Sequence, residues 1–447
     1  MRVGIIGAGI TGLALTHYLE TEGIESVTFE ASEEPGGVIN TRHTDGHVLE
    51  VGPQRMRKTP AIAELAAVAG VEDEIIEAGK ERLYVYADGK LRRAPLTIEE
   101  FFKTDLLSWH GKARLLAEVF TRPGMEEETA RDLFVRKFGI EAYEKFIGPL
   151  YGGIYGSDPA EMPAAYALDG LLEREKKAGS FLQGFRNRVG QGQSAPPASM
   201  REGMQQLPNA LAETYSDRIE LDTPVTAIET EGDVPSPAST QSPTYTLETE
   251  DGNQEFDHVV VTTPAGVTGE LLDGIAPGAA ELRNLRYNPL AQVFLKANPP
   301  QKGFGYQVGY GEELHTLGVS WNASMFGRDG VHTVFLGGMH EPDLVTESDE
   351  RLATIARQEF EAVMDTPASV IDVGRLEPGF PAWDQSWWGL EELETPPGID
   401  LATNYTARMG IPSRVREARQ IAENLAEQDG AAGQSGTERT SVTGSSN

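Results

Sequence analysis

The N-terminal stretch RVGIIGAGITGLALTHYLETEGIESVTFEA, Arg2 to Ala31, decides the fold of this chain. Residues 2–6 have the apolar pattern of a buried strand, residues 11–21 that of a helix, and residues 26–30 that of a second strand. Between the first strand and the helix, residues 7–12 read GAGITG and match the pattern G-x-G-x-x-G. This order of elements predicts a βαβ unit that binds a dinucleotide.

Each glycine of the fingerprint has a separate physical role. Gly7 permits the tight turn, Gly9 lets the backbone approach a pyrophosphate, and Gly12 lets helix and strand pack closely. Ile10 and Thr11 lie in the first helical turn, whose free N–H groups and positive dipole end favour phosphate. We therefore predict that these five residues hold the cofactor's pyrophosphate.

Glu30 ends the second predicted strand. A carboxylate at this position accepts hydrogen bonds from a ribose diol and repels a 2′-phosphate. The sequence therefore favours a dinucleotide without that phosphate.

The next residues distinguish FAD from NAD. Residues 30–41 read EASEEPGGVINT and lead into the run EVGP at residues 50–53. This segment resembles the flavin amine oxidase superfamily, whose members carry E-A-x-x-x-x-G-G-x-x-x-T after the second strand. The resemblance implies FAD, with Glu30, Ala31, Gly36 and Gly37 at the cofactor. The chain contains no Cys, which excludes a Cys-linked flavin, and we predict non-covalent binding.

A second flavin segment lies near the C-terminus. Residues 398–415, GIDLATNYTARMGIPSRV, resemble the last flavin motif of the protoporphyrinogen and coproporphyrinogen oxidases, approximately A-G-N-Y-x-x-G-V-G-I-P-x-x-I. The resemblance implies cofactor contacts from Asn404 and Met409. It also implies a helix starting near Pro412, whose N-terminus faces the flavin pyrimidine edge. Thr403 stands where the family has Gly, and Arg408-Met409 replaces Gly-Val.

Four further segments resemble the protoporphyrinogen/coproporphyrinogen oxidase family in the same order and spacing: residues 144–159, 199–208, 221–228 and 259–265. The third implies that the Val225 backbone contacts adenine. The family resemblance covers roughly residues 1–425 and implies oxidation of a porphyrinogen, protoporphyrinogen IX or coproporphyrinogen III, to the porphyrin. Dioxygen is the expected acceptor. The flavin carries the chemistry, so no catalytic side chain is predicted.

Amine oxidation is the alternative function. Many relatives that act on amines place a Lys, linked through water to flavin N5, on a strand of the substrate domain. Gln292 is the best match to that position in this sequence. The missing Lys argues mildly against amine oxidation.

Arginines are the candidate substrate ligands, because a tetrapyrrole carries carboxylates around an apolar ring. Arg82 begins a segment that resembles the family strand whose Arg is associated with a substrate propionate. Arg55 and Arg57 follow the Gly52-Pro53 pair, close to the expected flavin. The eight His form no metal-binding motif, so no metal is predicted.

We predict an α/β fold with three parts. Residues 1–84, 199–280 and 386–428 form a discontinuous, Rossmann-like FAD-binding domain. Residues 85–198 form an inserted helical lobe, and residues 281–385 form a β-sheet substrate domain. The tail, residues 429–447, lacks apolar periodicity and is predicted to be disordered.

Charge and composition limit the partners and the location. The formal net charge is −31, which disfavours binding to nucleic acid and to anionic lipid. Only 11 of 38 basic residues are Lys, a pattern that resembles proteins of salt-loving organisms and indicates a haloarchaeal source over an ordinary acidic protein. No apolar run is long enough to span a membrane. We expect a cytoplasmic protein, with peripheral membrane contact left open.

Overall fold

The computed structural model describes residues 1–79, 82–95, 97–125, 127–188, 195–230, 243–406 and 410–440. The strands of the described residues are β1 (Arg2–Ile6), β2 (Glu25–Phe29), β3 (Thr41–Thr44), β4 (His47–Glu50), β5 (Met56–Arg57), β6 (Ile75–Glu77), β7 (Leu83–Ala87), β8 (Lys90–Arg93), β9 (Pro197–Met200), β10 (Ile219–Glu220), β11 (Ala227–Thr230), β12 (Tyr245–Thr249), β13 (Gly252–Phe256), β14 (His258–Val261), β15 (Tyr287–Lys296), β16 (Gly305–Val308), β17 (Gly318–Ser320), β18 (Val331–Gly337), β19 (Ser369–Pro381) and β20 (Ile399–Leu401).

The α-helices of the same residues are α1 (Ile10–Thr21), α2 (Pro60–Val68), α3 (Ile98–Lys103), α4 (Trp109–Leu116), α5 (Ala130–Phe138), α6 (Ile140–Ala142), α7 (Gly148–Tyr155), α8 (Ala164–Ala167), α9 (Asp169–Ala178), α10 (Phe181–Arg188), α11 (Gln206–Thr214), α12 (Ala265–Leu271), α13 (Asn322–Phe326), α14 (Asp349–Met364), α15 (Trp388–Glu391) and α16 (Ile411–Thr440).

A five-stranded parallel sheet with the order β10-β2-β1-β14-β20 forms the first lobe. Its strands come from the N-terminal unit, the middle of the chain and the C-terminal segment. Strands β2 and β10 lie on one side of β1 in the sheet, and strands β14 and β20 lie on the other side. The strand order therefore reverses beside β1, which is where open α/β sheets bind ligands at the carboxyl edge.

Helices α1 and α16 pack together on this sheet. Ile10, Leu13 and Ala14 of α1 share one buried cluster with Ile411 and Val415 of α16. Both helices follow strands of the same parallel sheet, so their N-termini point to the same carboxyl edge. Two flavin-type segments that are far apart in the sequence thereby reach one side of the sheet.

A seven-stranded, mostly antiparallel sheet with the order β19-β15-β18-β17-β16-β7-β8 forms the second lobe. One face packs on α14, where Leu352, Ile355 and Phe360 meet Val293 and Leu336. Strands β7 and β8 belong to this sheet, because β7 pairs in parallel with β16. The prediction that residues 85–93 belong to the helical lobe was therefore wrong.

The helical lobe comprises α3 to α10 and surrounds a buried charged group. Lys137 lies within salt-bridge distance of Glu118 and Glu175, and all three side chains are buried. Its apolar core includes Leu133, Phe134 and residues of the C-terminal half such as Trp383. The lobe therefore packs against both other lobes.

The C-terminal helix differs from the prediction for the tail. Helix α16 continues to Thr440, so the backbone of residues 429–440 is helical where disorder was expected. The stretch contains Gly430, Gly433 and Gly436, which are poor helix formers, but it continues a helix that has already formed, and propagation costs less than nucleation. Residues 441–447 lie outside the described residues. The remaining domain boundaries stay predictions.

Candidate functional site

Two glycine turns meet at the carboxyl end of β1. Gly9 and Gly36 form an isolated parallel bridge, and the Gly36 N–H donates to the Ala8 carbonyl over 2.9 Å. Gly7 and Gly36 have φ angles of 108° and 119°, which favour glycine. The structure thus brings the predicted residues Gly7, Gly9, Gly36 and Gly37 into one cradle.

The space around each fingerprint glycine supports its separate role. A Cβ on Gly12 would lie 2.0 Å from the Gly7 carbonyl oxygen, so Gly12 is needed for packing within the turn. A Cβ on Gly9 would meet no heavy atom nearer than the Gly36 carbonyl oxygen, 4.0 Å away. Gly9 therefore borders open space, as expected for a backbone that a ligand approaches. Ile10 and Thr11 follow it as the first residues of α1.

Glu30 lies beside this cradle, held by donors from two segments. The Ala8 N–H donates to its Oε2 over 2.7 Å, and the Ser32 N–H and hydroxyl donate to its Oε1. Oε1 already accepts two hydrogen bonds, whereas Oε2 accepts one and keeps lone-pair capacity for a further donor such as a ribose hydroxyl. The Thr223 N–H donates to the Glu30 carbonyl, which places the half-buried Val225 segment alongside Ala31.

The loop after β20 supplies an unpartnered acceptor at the same edge. Among the described residues, the buried Asn404 Oδ1 has no hydrogen-bond donor. Thr403, in place of the family Gly, is buried, and its hydroxyl accepts from the Thr406 N–H over 3.2 Å. The Thr403 side chain therefore turns into its own loop. Met409, the other residue predicted here, lies outside the described residues.

These features fit a flavin dinucleotide. The strand β20 is separated from β1 by one strand, or about 10 Å, so Asn404 and Gly9 belong to one region of the carboxyl edge. A glycine cradle, a carboxylate oxygen with spare acceptor capacity and a buried amide oxygen without a donor among the described residues match the phosphate, ribose and ring of the cofactor. The individual contacts stay predictions.

The second lobe turns one face of its sheet toward this edge. Gln292 of β15 lies opposite Phe335 of β18, and Phe335 lies opposite Gly318 of β17. Gly318 in turn lies opposite Gln307 of β16. The side chains of Gln292, Phe335 and Gln307 therefore lie on one face of the sheet. Phe335 and Gln307 line a cavity of about 300 Å³ that also includes Val85.

Residues from all three lobes complete this cavity, which we call the sheet cavity. Pro53, Gln54 and Arg55 follow the EVGP run, and α7 supplies Leu150. Apolar and aromatic residues make up most of the walls, and Gln54, Arg55, Gln307 and Ser320 add polar groups. Such a cavity suits a large apolar ligand with polar groups at its rim.

Of the three predicted arginines, Arg55 lies at the sheet cavity and Arg82 lies at a cavity that adjoins it. The Arg55 guanidinium stacks 5.3 Å from the centroid of the Phe304 ring, and Arg55 is exposed at the rim. Arg82 lines an adjoining cavity of about 180 Å³ that shares Phe304 as a wall. Arg57 is directed elsewhere, because it donates to the Ala195 carbonyl over 3.2 Å.

A second cavity, of about 430 Å³, lies between the helical lobe and the last flavin motif. Trp383 and Trp387 stack on its wall with ring centroids 3.9 Å apart, next to Tyr405. Trp383 and Trp387 therefore line this cavity, whereas the adjacent Trp388 is 52% exposed.

Sequence reasoning missed an ion pair that joins the lobes. Arg328 donates to Glu50 over 2.9 Å and to the Ser199 hydroxyl over 3.0 Å, with exposures of 7% for Arg328 and 1% for Glu50. Burial raises the pKa of Glu50, while the Arg328 charge opposes that shift. Glu50 belongs to the EVGP run, but no motif marks Arg328.

A neighbouring amide network fixes the loop before the cavity. Asn322 donates to Gln54 over 2.8 Å, and Gln54 donates to the carbonyls of Glu50 and Gly52. This network positions Pro53 and Arg55 at the rim of the sheet cavity. The Gln54 amide therefore fixes this loop at the edge of the sheet cavity.

A dinucleotide cradle facing a largely apolar cavity defines a flavin-dependent oxidoreductase. Within the part of the chain that the structure describes, no group of three or more His, Asp or Glu could hold a metal ion. The chain belongs to the flavin containing amine oxidoreductase family, whose profile matches residues 10–391.

Individual relatives agree with the family. Protoporphyrinogen oxidase 1 of Spinacia oleracea is 26% identical over 407 residues, which cover 81% of this chain and 71% of the relative. Coproporphyrinogen III oxidase of Bacillus subtilis (strain 168) is 25% identical over 394 residues, covering 81% and 83%. These findings confirm the resemblance predicted from the motifs and the prediction of an FAD-dependent oxidoreductase.

Solved structures confirm the fold. A structure from Exiguobacterium sp. 255-15, named for protoporphyrinogen oxidase, superposes with a TM-score of 0.78 at 24% identity and covers 96% of this chain and 99% of that one. Cyclohexylamine oxidase of Brevibacterium oxydans IH-35A has a TM-score of 0.69 at 16% identity, covering 96% and 99%. The predicted α/β fold with an FAD-binding lobe is therefore correct.

Proposed function

We propose that this protein oxidises a porphyrinogen, protoporphyrinogen IX or coproporphyrinogen III, to the porphyrin. The sheet cavity carries the proposal, because an apolar chamber flanked by Arg55 and Arg82 suits an apolar macrocycle with carboxylate substituents. Two of the relatives reported above are named for oxidation of these substrates, as a protoporphyrinogen oxidase and a coproporphyrinogen III oxidase. Amine oxidation is the second candidate, supported by the family name alone.

The side chains of this chain bind and orient the substrate. FAD, held by the glycine cradle and Glu30, would supply the oxidising chemistry. Arg82 and Arg55 hold propionates by charge-assisted hydrogen bonds, with Phe304 between them as an apolar wall. Arg57 is left out of this proposal because its guanidinium faces the Ala195 carbonyl.

We propose dioxygen as the electron acceptor and a cytoplasmic location with peripheral membrane contact. None of the helices in the described ranges is long and apolar enough to cross a bilayer. The helical lobe nevertheless exposes Trp109 and Phe120, at 74% and 90% of their surface. The cations of the same helix do not contribute, because Lys112 is buried and Arg114 donates to the carbonyls of Arg136 and Lys137. The proposed membrane contact therefore rests on these two exposed aromatic side chains.

Aerobic turnover tests the proposal. Purified holoenzyme is supplied with each porphyrinogen and with a panel of amines, while porphyrin fluorescence, oxygen uptake and peroxide are followed. We expect porphyrin formation with matched oxygen consumption from at least one porphyrinogen. Peroxide from amines, with no porphyrin above the rate of spontaneous oxidation, would support amine oxidation instead.

Sedimentation with neutral and anionic vesicles tests the membrane contact, which Phe120→Ser should weaken.

A further inference from the structure

The cavity of about 430 Å³ between the helical lobe and the last flavin motif lies outside the proposed substrate site. We call it the tryptophan cavity, after Trp383 and Trp387 on its wall. Among the described residues, it shares no lining residue with the sheet cavity. Helix α7 separates the two chambers, because its Tyr151 lines the tryptophan cavity while its Leu150 and Gly153 line the sheet cavity.

The walls of the tryptophan cavity favour a flat ligand. Trp383 and Trp387 stack with an interplanar angle of 23°, and Tyr151, Tyr166 and Tyr405 add three more aromatic rings. Aromatic rings pack best on other aromatic rings, in offset-stacked or edge-to-face arrangements. The volume lies within the usual range of small-molecule sites, roughly 300–1,000 Å³. A planar aromatic body of modest size therefore suits this chamber.

The tyrosine hydroxyls of the cavity are already used within the protein. Tyr151 donates to the Ala167 carbonyl, and Tyr405 donates to a hydroxyl on α12 over 2.7 Å. Tyr166 donates to the carboxylate of Glu391, which is the one acid among the described lining residues and lies exposed on α15. These bonds join the walls to one another and leave the hydroxyls little role in recognising a ligand.

Two donors of the cavity have no acceptor. The Trp387 side chain is 4% exposed, and its indole N–H meets no acceptor among the described residues. A buried N–H without an acceptor is costly, so a partner is expected. Arg174 of α9 is an exposed lining residue whose guanidinium forms no hydrogen bond or ion pair within the described part of the chain.

The free groups therefore call for an acceptor with negative charge. We propose that the tryptophan cavity is a second ligand site that binds a planar aromatic carboxylate. The ring packs on the aromatic walls, and the carboxylate accepts hydrogen bonds from the Trp387 indole and the Arg174 guanidinium. Such a ligand also contacts Tyr405 and Thr406, which directly follow Asn404 of the flavin segment. The site depends neither on the porphyrinogen nor on turnover.

Calorimetric titration of the wild-type holoenzyme tests the charge preference without any variant. The probes are 2-naphthoate, 2-naphthamide and 2-naphthylmethylamine, which share one ring system and carry negative, zero and positive charge. We expect one molecule of 2-naphthoate to bind at least roughly threefold more tightly than the amide, with the amine weakest and with salt weakening the carboxylate. Equal affinities, tighter binding of the amine or no binding of 2-naphthoate would overturn the proposal.

Variants then locate the bound probe. Arg174→Gln should weaken 2-naphthoate binding roughly two- to fivefold, as expected for an exposed charge pair. Trp387→Phe keeps a ring but removes the N–H and should weaken binding roughly two- to tenfold. Lys176→Gln, which removes an exposed cation from the same helix as Arg174, and Trp388→Phe should both leave the affinity at the wild-type value.

The remaining control concerns the sheet cavity. Arg55→Gln alters that cavity and should bind 2-naphthoate as the wild type does. A loss of binding in Arg55→Gln would place the probe in the sheet cavity and overturn the proposal, as would an unchanged affinity in Arg174→Gln. Because Arg174 is exposed, its variant decides the question even if Trp387→Phe does not fold.

Discussion

Gly9→Ala separates a residue that serves the cofactor from residues that serve the fold. Gly9 has φ −66° and ψ 174°, which any residue adopts, and an added Cβ stays 4.0 Å from the Gly36 carbonyl oxygen. The apoprotein should therefore keep its stability or gain up to about 1 kcal/mol from a stiffer unfolded chain. The same methyl group occupies the space through which the cofactor approaches. Overpacking of this kind costs about 1–3 kcal/mol, so FAD should bind roughly five- to hundredfold more weakly.

The assay is a pair of measurements on apoprotein, urea unfolding and titration with FAD. Gly12→Ala is the matched control, because its Cβ would lie 2.0 Å from the Gly7 carbonyl oxygen. Gly12→Ala should lose stability and FAD binding together, whereas Gly9→Ala should lose binding alone. An FAD dissociation constant within twofold of wild type for Gly9→Ala would refute the reasoning. So would a loss of apoprotein stability as large as that of Gly12→Ala.

Three further predictions follow from the lobes and their contacts. Arg82→Ala should lower kcat/KM for a porphyrinogen by roughly ten- to a hundredfold, since a charge-assisted bond contributes about 1.5–3 kcal/mol; flavin content should not change, and Arg57→Ala should leave kcat/KM near wild type. Arg328→Met leaves a buried carboxylate unpaired and should cost about 3–5 kcal/mol in urea unfolding; a loss under 1 kcal/mol would contradict a shared ion pair. Burial lowers the pKa of His332 from 6.5 to about 4. Between these two pH values the unfolded chain binds a proton at this histidine and the folded chain does not. About 3 kcal/mol of stability should therefore be lost as the pH falls from 6.5 to 4. His332→Gln should flatten that part of the pH profile, while His110→Gln should not.

Local sequence patterns predict the FAD lobe because its chemistry depends on neighbouring residues. The turn at Gly7 and the close packing at Gly12 are properties of six consecutive positions, and the structure shows both. Parallel strands bring their carboxyl ends to one edge, so segments at residues 7 and 404 could be placed together from topology alone.

Contacts between distant segments were not predictable. Glu50 and Arg328 are 278 positions apart, and neither charge shows in the sequence that it will be buried against the other. Strand β7 joined the second sheet because it pairs with β16, while its local pattern would suit any sheet. The Trp387 indole N–H, which has no acceptor among the described residues, is likewise visible only after the walls of its cavity are known.

Thr403 shows a different limit. Thr403 stands where the family has Gly, and the direction of such a short polar side chain depends on nearby hydrogen bonds. Here Thr403 and Thr406 exchange hydrogen bonds between their hydroxyls and backbone N–H groups within one turn. The same turn leaves the Asn404 oxygen without a donor among the described residues. A sequence comparison indicates the position of such a substitution and not its rotamer.

The most direct test of the account is a single anaerobic turnover. Holoenzyme is mixed without oxygen with protoporphyrinogen IX, with coproporphyrinogen III or with each amine of the panel, and the loss of the yellow oxidised-flavin absorbance is timed. The account predicts rapid bleaching by one or both porphyrinogens, slowed in Arg82→Ala, and recovery of the colour when oxygen is admitted. Rapid bleaching by an amine, with none by either porphyrinogen, would contradict it.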